Sequence, residues 1–160
     1  MRRHICAALA LMFVIAGCGK KPVDASCDLA MSSFYAANYK EALPSMRTCA
    51  ESGNLNGQFM LGVMYSGGFG TQQDQTAAAH WYEKAANKGH IGATKNLAIA
   101  HYKGQGIKKD FTQALKLFTV AAKSGDSEAM TNLSQMYALG HGTQADEKQA
   151  EYWAAKAKGK

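Results

Sequence analysis

Four cysteines (Cys6, Cys18, Cys27 and Cys49) and five histidines (His4, His80, His90, His101 and His141) are the residues of this 160-residue chain most able to do chemistry. No two histidines have the His-x-x-x-His spacing that sets two imidazoles on one helix face, and none has a glutamate at zincin spacing. Ser32, Ser45, Ser66, Ser124, Ser127 and Ser134 lack a Gly-x-Ser-x-Gly elbow or a Ser-x-x-Lys motif. Gly104-Gln-Gly106 has the look of a phosphate cradle, but it recurs along the chain and no Gly-Lys-Ser follows it. We therefore expect a protein that binds rather than catalyses, with no catalytic residue, no metal and no cofactor. Cys27 and Cys49 sit in no electropositive motif that would make a thiolate.

The elements that carry these residues repeat. Shifted by 36 residues, Leu61, Leu97 and Leu133 align, as do Gly68, Gly104 and Gly140, and Gly70, Gly106 and Gly142. Asp74, Asp110 and Asp146 align as well, followed by two alanine positions, 78/114/150 and 85/121/157. A fixed period of this size marks a stacked array of helical hairpins. Around Leu61 on a helical wheel, Gly57, Gln58, Met64 and Tyr65 fall on one face. The recurring Asp opens the second helix of each hairpin as an N-cap, and Gln113 and Gln149 stand where a capping-box partner reaches back. Gly53, Gly89 and Gly125 stop those second helices in a left-handed residue. Trp81, Leu117 and Trp153 are expected to supply the bulk of each buried layer.

The pattern Leu61-Gly62-x-x-Tyr65-x-x-Gly68-x-Gly70-x-x-x-Asp74-x-x-x-Ala78-x-x-Trp81-Tyr82-x-Lys84-Ala85-Ala86-x-x-Gly89 resembles the Sel1-like repeat, a branch of the tetratricopeptide-type repeats. His101 replaces the repeat tyrosine in the next copy, and Leu117-Phe118 replaces Trp-Tyr. The resemblance implies an all-α fold, a right-handed α-solenoid of about four helix-turn-helix units. The units expected are 25–54, a degenerate tetratricopeptide-like hairpin, then 55–90, 91–126 and 127–160.

Upstream, Met1-Arg-Arg-His precedes an apolar run, Ile5 to Ala16, too short for a permanent bilayer span and patterned like a signal peptide. The ending Val14-Ile15-Ala16-Gly17-Cys18 resembles the lipobox of bacterial lipoproteins. That resemblance implies cleavage after residue 17, lipidation of Cys18 and membrane attachment through the acyl chains. It also implies a periplasm-facing protein, with Gly19 favouring the outer membrane. Residues 18–24 are expected to form a lipid-anchored tether. Losing Arg2 and Arg3 with the signal lowers the formal charge from +6 to +4. This mild excess, with no basic stripe, argues against nucleic acid.

Discarding Cys6 and lipidating Cys18 leaves Cys27 and Cys49. If helices over 25–37 and 39–52 turn near residues 37–38, opposed positions sum to about 75 or 76, which sets Cys27 against Cys49. In an oxidising compartment they are expected to form a disulfide worth about 2–4 kcal/mol; the alternative is two separately buried thiols. Pro44 falls inside the second of these helices, where it removes one backbone bond, and the disulfide is expected to compensate.

The back of each first helix is the candidate binding surface. Asn56, Phe59, Val63 and Ser66 point away from the Leu61 face; their equivalents are Gly92, Lys95, Ile99 and Tyr102, then Glu128, Thr131, Gln135 and Ala138. In solenoids of this type the first helices line the concave groove. Phe59, Val63, Ile99 and Tyr102 are expected to stand there as an exposed apolar patch, with Ser66, Lys95, Thr131 and Gln135 beside them as partner-binding residues. The partner implied is a protein or peptide. The family resemblance includes envelope scaffolds, signalling adaptors and periplasmic immunity proteins that neutralise toxic effectors such as lipases. Cysteine-rich relatives described as weak β-lactam-binding or hydrolysing proteins are the enzymatic alternative.

Overall fold

The computed structural model describes residues 22–159, all of whose regular elements are helices. They are α1 (Pro22–Tyr35), α2 (Tyr39–Glu51), α3 (Leu55–Gly67), α4 (Gln75–Ala86), α5 (Ile91–Lys103), α6 (Phe111–Lys123), α7 (Ser127–Leu139) and α8 (Glu147–Ala157). Strong packing runs between consecutive helices along the chain, so the molecule is a row of four hairpins, an α-solenoid. Three apolar clusters follow one another down the row, centred on Met46 and Leu61, on Tyr82 and Leu97, and on Phe118 and Leu133. The expected signal peptide, residues 1–17, and Cys18 lie outside the described residues. Helix α1 already begins at Pro22, so the expected tether over 18–24 is helical across its last three residues.

The period in the sequence is a period of helix ends. Asp74, Asp110 and Asp146 accept from the amides of Ala77, Gln113 and Gln149 at 2.9, 2.9 and 3.0 Å. Only this half of the capping box forms: the Gln113 and Gln149 side chains make no bond back to their caps. A second set of caps opens α3, α5 and α7, where Asn54, His90 and Asp126 accept from Gly57, Ala93 and Ala129. Those three helices end on Gly68, Gly104 and Gly140, each with φ near 70°.

The second glycine of each Gly-x-Gly loop sets the spacing between units. A Cβ on Gly70 would strike the backbone carbonyl of Tyr39, one on Gly106 that of Gln75, and one on Gly142 that of Phe111. Each loop therefore rests directly on the first residue of the preceding unit's second helix, and any side chain would prise the units apart.

Within the layers, the expected bulk is displaced by one residue. Tyr82 and Phe118 are buried, whereas Trp81 and Leu117 are only half-buried. Tyr82 and Phe118 enter the clusters they share with Leu97 and Leu133 of the next unit, while Trp81 and Leu117 pack on the edge of the preceding cluster. Where the third copy carries Ala154, Trp153 is buried as expected.

The first hairpin is closed as the antiparallel count predicts: Cys27 and Cys49 form a disulfide with Cα atoms 5.0 Å apart. Helix α2 runs through Pro44, with the Thr48 hydroxyl donating to the Pro44 carbonyl. The Cys49 sulfur also packs against Gly57 of the next unit, where a Cβ would come within 2.6 Å of it. The bridge thus braces the joint as well as the hairpin.

Candidate functional site

Most of the expected binding residues take part in the joints between hairpins. Phe59 stacks on the His90 ring with centroids 4.4 Å apart. Tyr102 packs on Phe111 and hydrogen-bonds His141 Nδ1 at 3.0 Å. Val63 and Ile99 pack against the second and third clusters. All four are half-buried, which corrects the expectation of an open apolar patch. A wheel drawn around one helix places them away from its own hairpin but takes no account of the next unit, which covers them.

Lys95 is also engaged within the chain, at 2.6 Å from Glu128 and 3.7 Å from Asp126 of the next unit. Burial alone lowers its pKa, but these two carboxylates outweigh that and hold the ammonium above its usual value. Thr131 and Gln135 are exposed on α7, and Asn56 on α3. Ser66 beside them is half-buried and hydrogen-bonded to Tyr82.

Two recesses open along the first helices. The first, of about 350 Å³, lies between α1, α3 and the start of α5, and is lined by Met31, Tyr35, Asn56, Phe59, Met60 and His90. Tyr35 stands 77% exposed at its edge. The second, of about 200 Å³, opens between α3, α4 and α5, where Ser66, Gln75, Tyr82, Asn96, Ile99 and Gln105 meet. Burial pushes the Tyr82 hydroxyl above its ordinary pKa of 10.0, opposed by hydrogen bonds with Asn96 and Ser66. That hydroxyl is therefore a neutral, fixed dipole in the wall. Gln75 is also held in place, its Nε2 donating to the Ser66 carbonyl at 3.0 Å.

Phe59 of the first recess and Ser66 of the second share the outer stripe of α3. Seven residues of helix separate them, about 10 Å at 1.5 Å per residue. Met31, Tyr35, His90, Gln75, Asn96 and Gln105 belong to these recesses and were missed from the sequence: His90 is a cap, Gln75 opens a second helix, Gln105 lies in a loop, Met31 and Tyr35 stand on α1 of the degenerate unit, and Asn96 lies beside the outer stripe of α5. The recurrence of the Gly-x-Gly loop was the one signal that could have placed Gln105.

Cys27 and Cys49 are both committed to the disulfide, and no cluster of three metal-binding side chains occurs among the described residues. His90 Nδ1 accepts from Ala93, and burial lowers its pKa below the ordinary 6.5. What the arrangement offers is a row of uncharged hydrogen-bonding groups between aromatic walls.

A family model for the Sel1 repeat matches residues 55–90, 92–126 and 127–158, one match for each of the last three hairpins. The chain belongs to the Sel1 repeat family, whose members are generally non-enzymatic scaffolds that bind protein partners. Among solved structures it is similar to c5321, a protective antigen of uropathogenic Escherichia coli strains with an SLR fold. That likeness has a TM-score of 0.81 and 30% identity, over 86% of this chain and 30% of that one. It is similar also to a Sel1 repeat protein from Oxalobacter formigenes, with a TM-score of 0.75 and 29% identity over 81% and 53% of the two chains. Cysteine-rich protein B of Helicobacter pylori shares the fold at a TM-score of 0.55 and 22% identity, over 71% of this chain and 97% of that one. The chain thus spans about a third of the first relative and half of the second. No curated protein matches it at a significant level.

Proposed function

We propose that this protein binds a polypeptide partner along the exposed line of its first helices, without catalysis. The observation that carries this reading is the α3 stripe from Phe59 to Ser66, which joins two recesses of different lining. An extended polypeptide covers the roughly 10 Å between them in three residues, so one short segment reaches both. Thr131 and Gln135 continue the line onto α7.

On the same reading the chain is a lipoprotein, cleaved before Cys18 and anchored by it to the outer membrane, with the repeats facing the periplasm. Its lipobox-like Val14-Ile15-Ala16-Gly17-Cys18 and the Cys27–Cys49 disulfide support that address, since disulfides persist in oxidising compartments. A small tethered binder of this kind suits an immunity protein that neutralises a toxic effector such as a lipase; an envelope scaffold uses the same surface.

Capture from the producing cell's envelope, using the tagged mature chain, tests the binding reading. Asn56→Arg combined with Gln135→Arg places charge on the exposed line without touching the core. Retained capture by this variant counts against the reading, and its loss supports it. A secreted toxic enzyme as the captured species marks immunity, and an envelope-assembly component marks a scaffold. Labelled palmitate incorporated by the parent and absent from Cys18→Ser tests the anchor.

A further inference from the structure

The three joints between hairpins are built from equivalent positions, and the middle one is underfilled. At four positions one period apart, the first joint carries Tyr39, Leu43, Met64 and Phe69, and the third carries Phe111, Leu115, Met136 and His141. The middle joint carries Gln75, Ala79, Ala100 and Gln105 instead. In the first joint the Tyr39 and Phe69 rings pack with centroids 4.9 Å apart. In the third, Phe111 and His141 stack at 4.3 Å with planes 7° apart. The third joint adds the Tyr102 ring where the middle one has Ser66. The recess of about 200 Å³ at Gln75, Ser66 and Gln105 is the room those rings occupy elsewhere.

We propose that this middle joint is a receptacle for one aromatic side chain of a bound polypeptide, a tyrosine or tryptophan. The inference rests on the partner-binding reading and names what the partner inserts. Tightly packed interiors are favoured over voids, and the fold shows by its own repetition that rings are the shape this joint accepts. The walls select an uncharged, hydrogen-bonding ring. Tyr82 is buried and neutral, Asn96 and Ser66 are hydrogen-bonded to it, and no charged side chain lines the recess. The Gln105 carboxamide makes no hydrogen bond within the described residues and lies at the mouth, where a phenol hydroxyl or an indole N–H meets it. Ala78, Ala79 and Ile99 provide the apolar floor.

The test uses p-cresol, the tyrosine side chain as a free molecule, titrated into the mature chain and followed by amide NMR. A ligand of this size in a half-open recess binds with a dissociation constant on the order of 1 mM. Saturable shifts are expected at Ser66, Gln75, Asn96 and Gln105, and cyclohexanol, similar in size but not flat, is expected to bind at least roughly tenfold more weakly. The double variant Gln75→Phe, Gln105→His installs the pair already found in the third joint. It should melt no lower than the parent and lose p-cresol binding; Ala79→Leu serves as a second filled variant if the first misfolds. Scattered shifts, equal binding of cyclohexanol or undiminished binding by a folded, filled variant would overturn the receptacle. The partner itself separates this proposal from the broader one. Capture lost with the filled variant supports the receptacle. Capture kept by the filled variant but lost by Asn56→Arg with Gln135→Arg overturns it while leaving the partner-binding reading in place.

Discussion

Substituting alanine at Gly106 isolates what holds one unit against the next. Gly106 has φ +69°, and a Cβ there would strike the Gln75 carbonyl and the Thr76 amide nitrogen that together form one peptide group. Gly125 has φ +95° and Gly89 φ +88°, yet a Cβ at either meets nothing within 4 Å. Alanine at Gly125 or Gly89 therefore bears only the cost of the left-handed backbone, about 1–2 kcal/mol. At Gly106 the same cost is joined by overpacking against a backbone that cannot rotate away, roughly 1–3 kcal/mol more. At about 2–4 °C per kcal/mol for a chain of this size, Gly106→Ala should melt roughly 4–20 °C below the parent, and Gly125→Ala roughly 2–8 °C below. Circular dichroism melts and urea titrations of the three variants, compared side by side, measure this. Gly106→Ala proving no worse than Gly125→Ala would refute the view that the loop glycine sets the inter-unit distance.

Further outcomes follow from the caps, the bridge and the Lys95 ion pairs with Asp126 and Glu128. His90 must stay neutral to accept from Ala93, and its pKa is lowered by burial from 6.5. Its contribution is therefore complete above pH 6.5 and lost as pH falls through the lower folded-state value. Melting temperature should drop on acidification in that window, and His90→Asn, which puts in the cap used at Asn54, should flatten the slope; an unchanged slope counts against the cap. Reducing the Cys27–Cys49 bridge should cost about 2–4 kcal/mol, read as the shift in urea midpoint between oxidised and reduced protein, and an unshifted midpoint would show the first hairpin to be held by packing alone. Lys95→Ala should cost about 1 kcal/mol or less, and the difference should shrink in high salt; a loss of several kcal/mol would mean Lys95 also packs as a stem between units.

Much of this architecture was legible because the period of 36 residues copies the helix ends themselves. Asp74, Asp110 and Asp146 announce an N-cap in residue type, and the glycines announce a left-handed stop. The disulfide followed from counting across one short turn, where two neighbouring helices must run antiparallel. Legibility fails at the joints. The wheel that placed Leu61 in the core assigned Phe59, Val63, Ile99 and Tyr102 to an open face, yet the adjoining unit half-buries them. Trp81 and Tyr82 differ by one position on α4, and which of them is buried depends on the neighbouring unit's angle, which no single-helix pattern contains. His90 was unreadable as a cap because imidazole is a rare one, although its register with Asn54 and Asp126 carried the signal. The middle recess was written in the sequence as Gln, Ala, Ala and Gln standing where aromatic and long apolar residues recur on either side, but its meaning depends on knowing that those columns face one another.

The claim on which the functional account depends is that a partner polypeptide lies along the first helices. Site-specific photocrosslinking in the producing cell addresses it, with benzoylphenylalanine placed at Asn56 or Gln135 on that line and at Val120 or Lys123 on α6. One discrete adduct from Asn56 and Gln135, lost when Gln75→Phe and Gln105→His fill the recess and absent from Val120 and Lys123, is the predicted result. Equal adducts from both faces, or adducts from α6 alone, would contradict it.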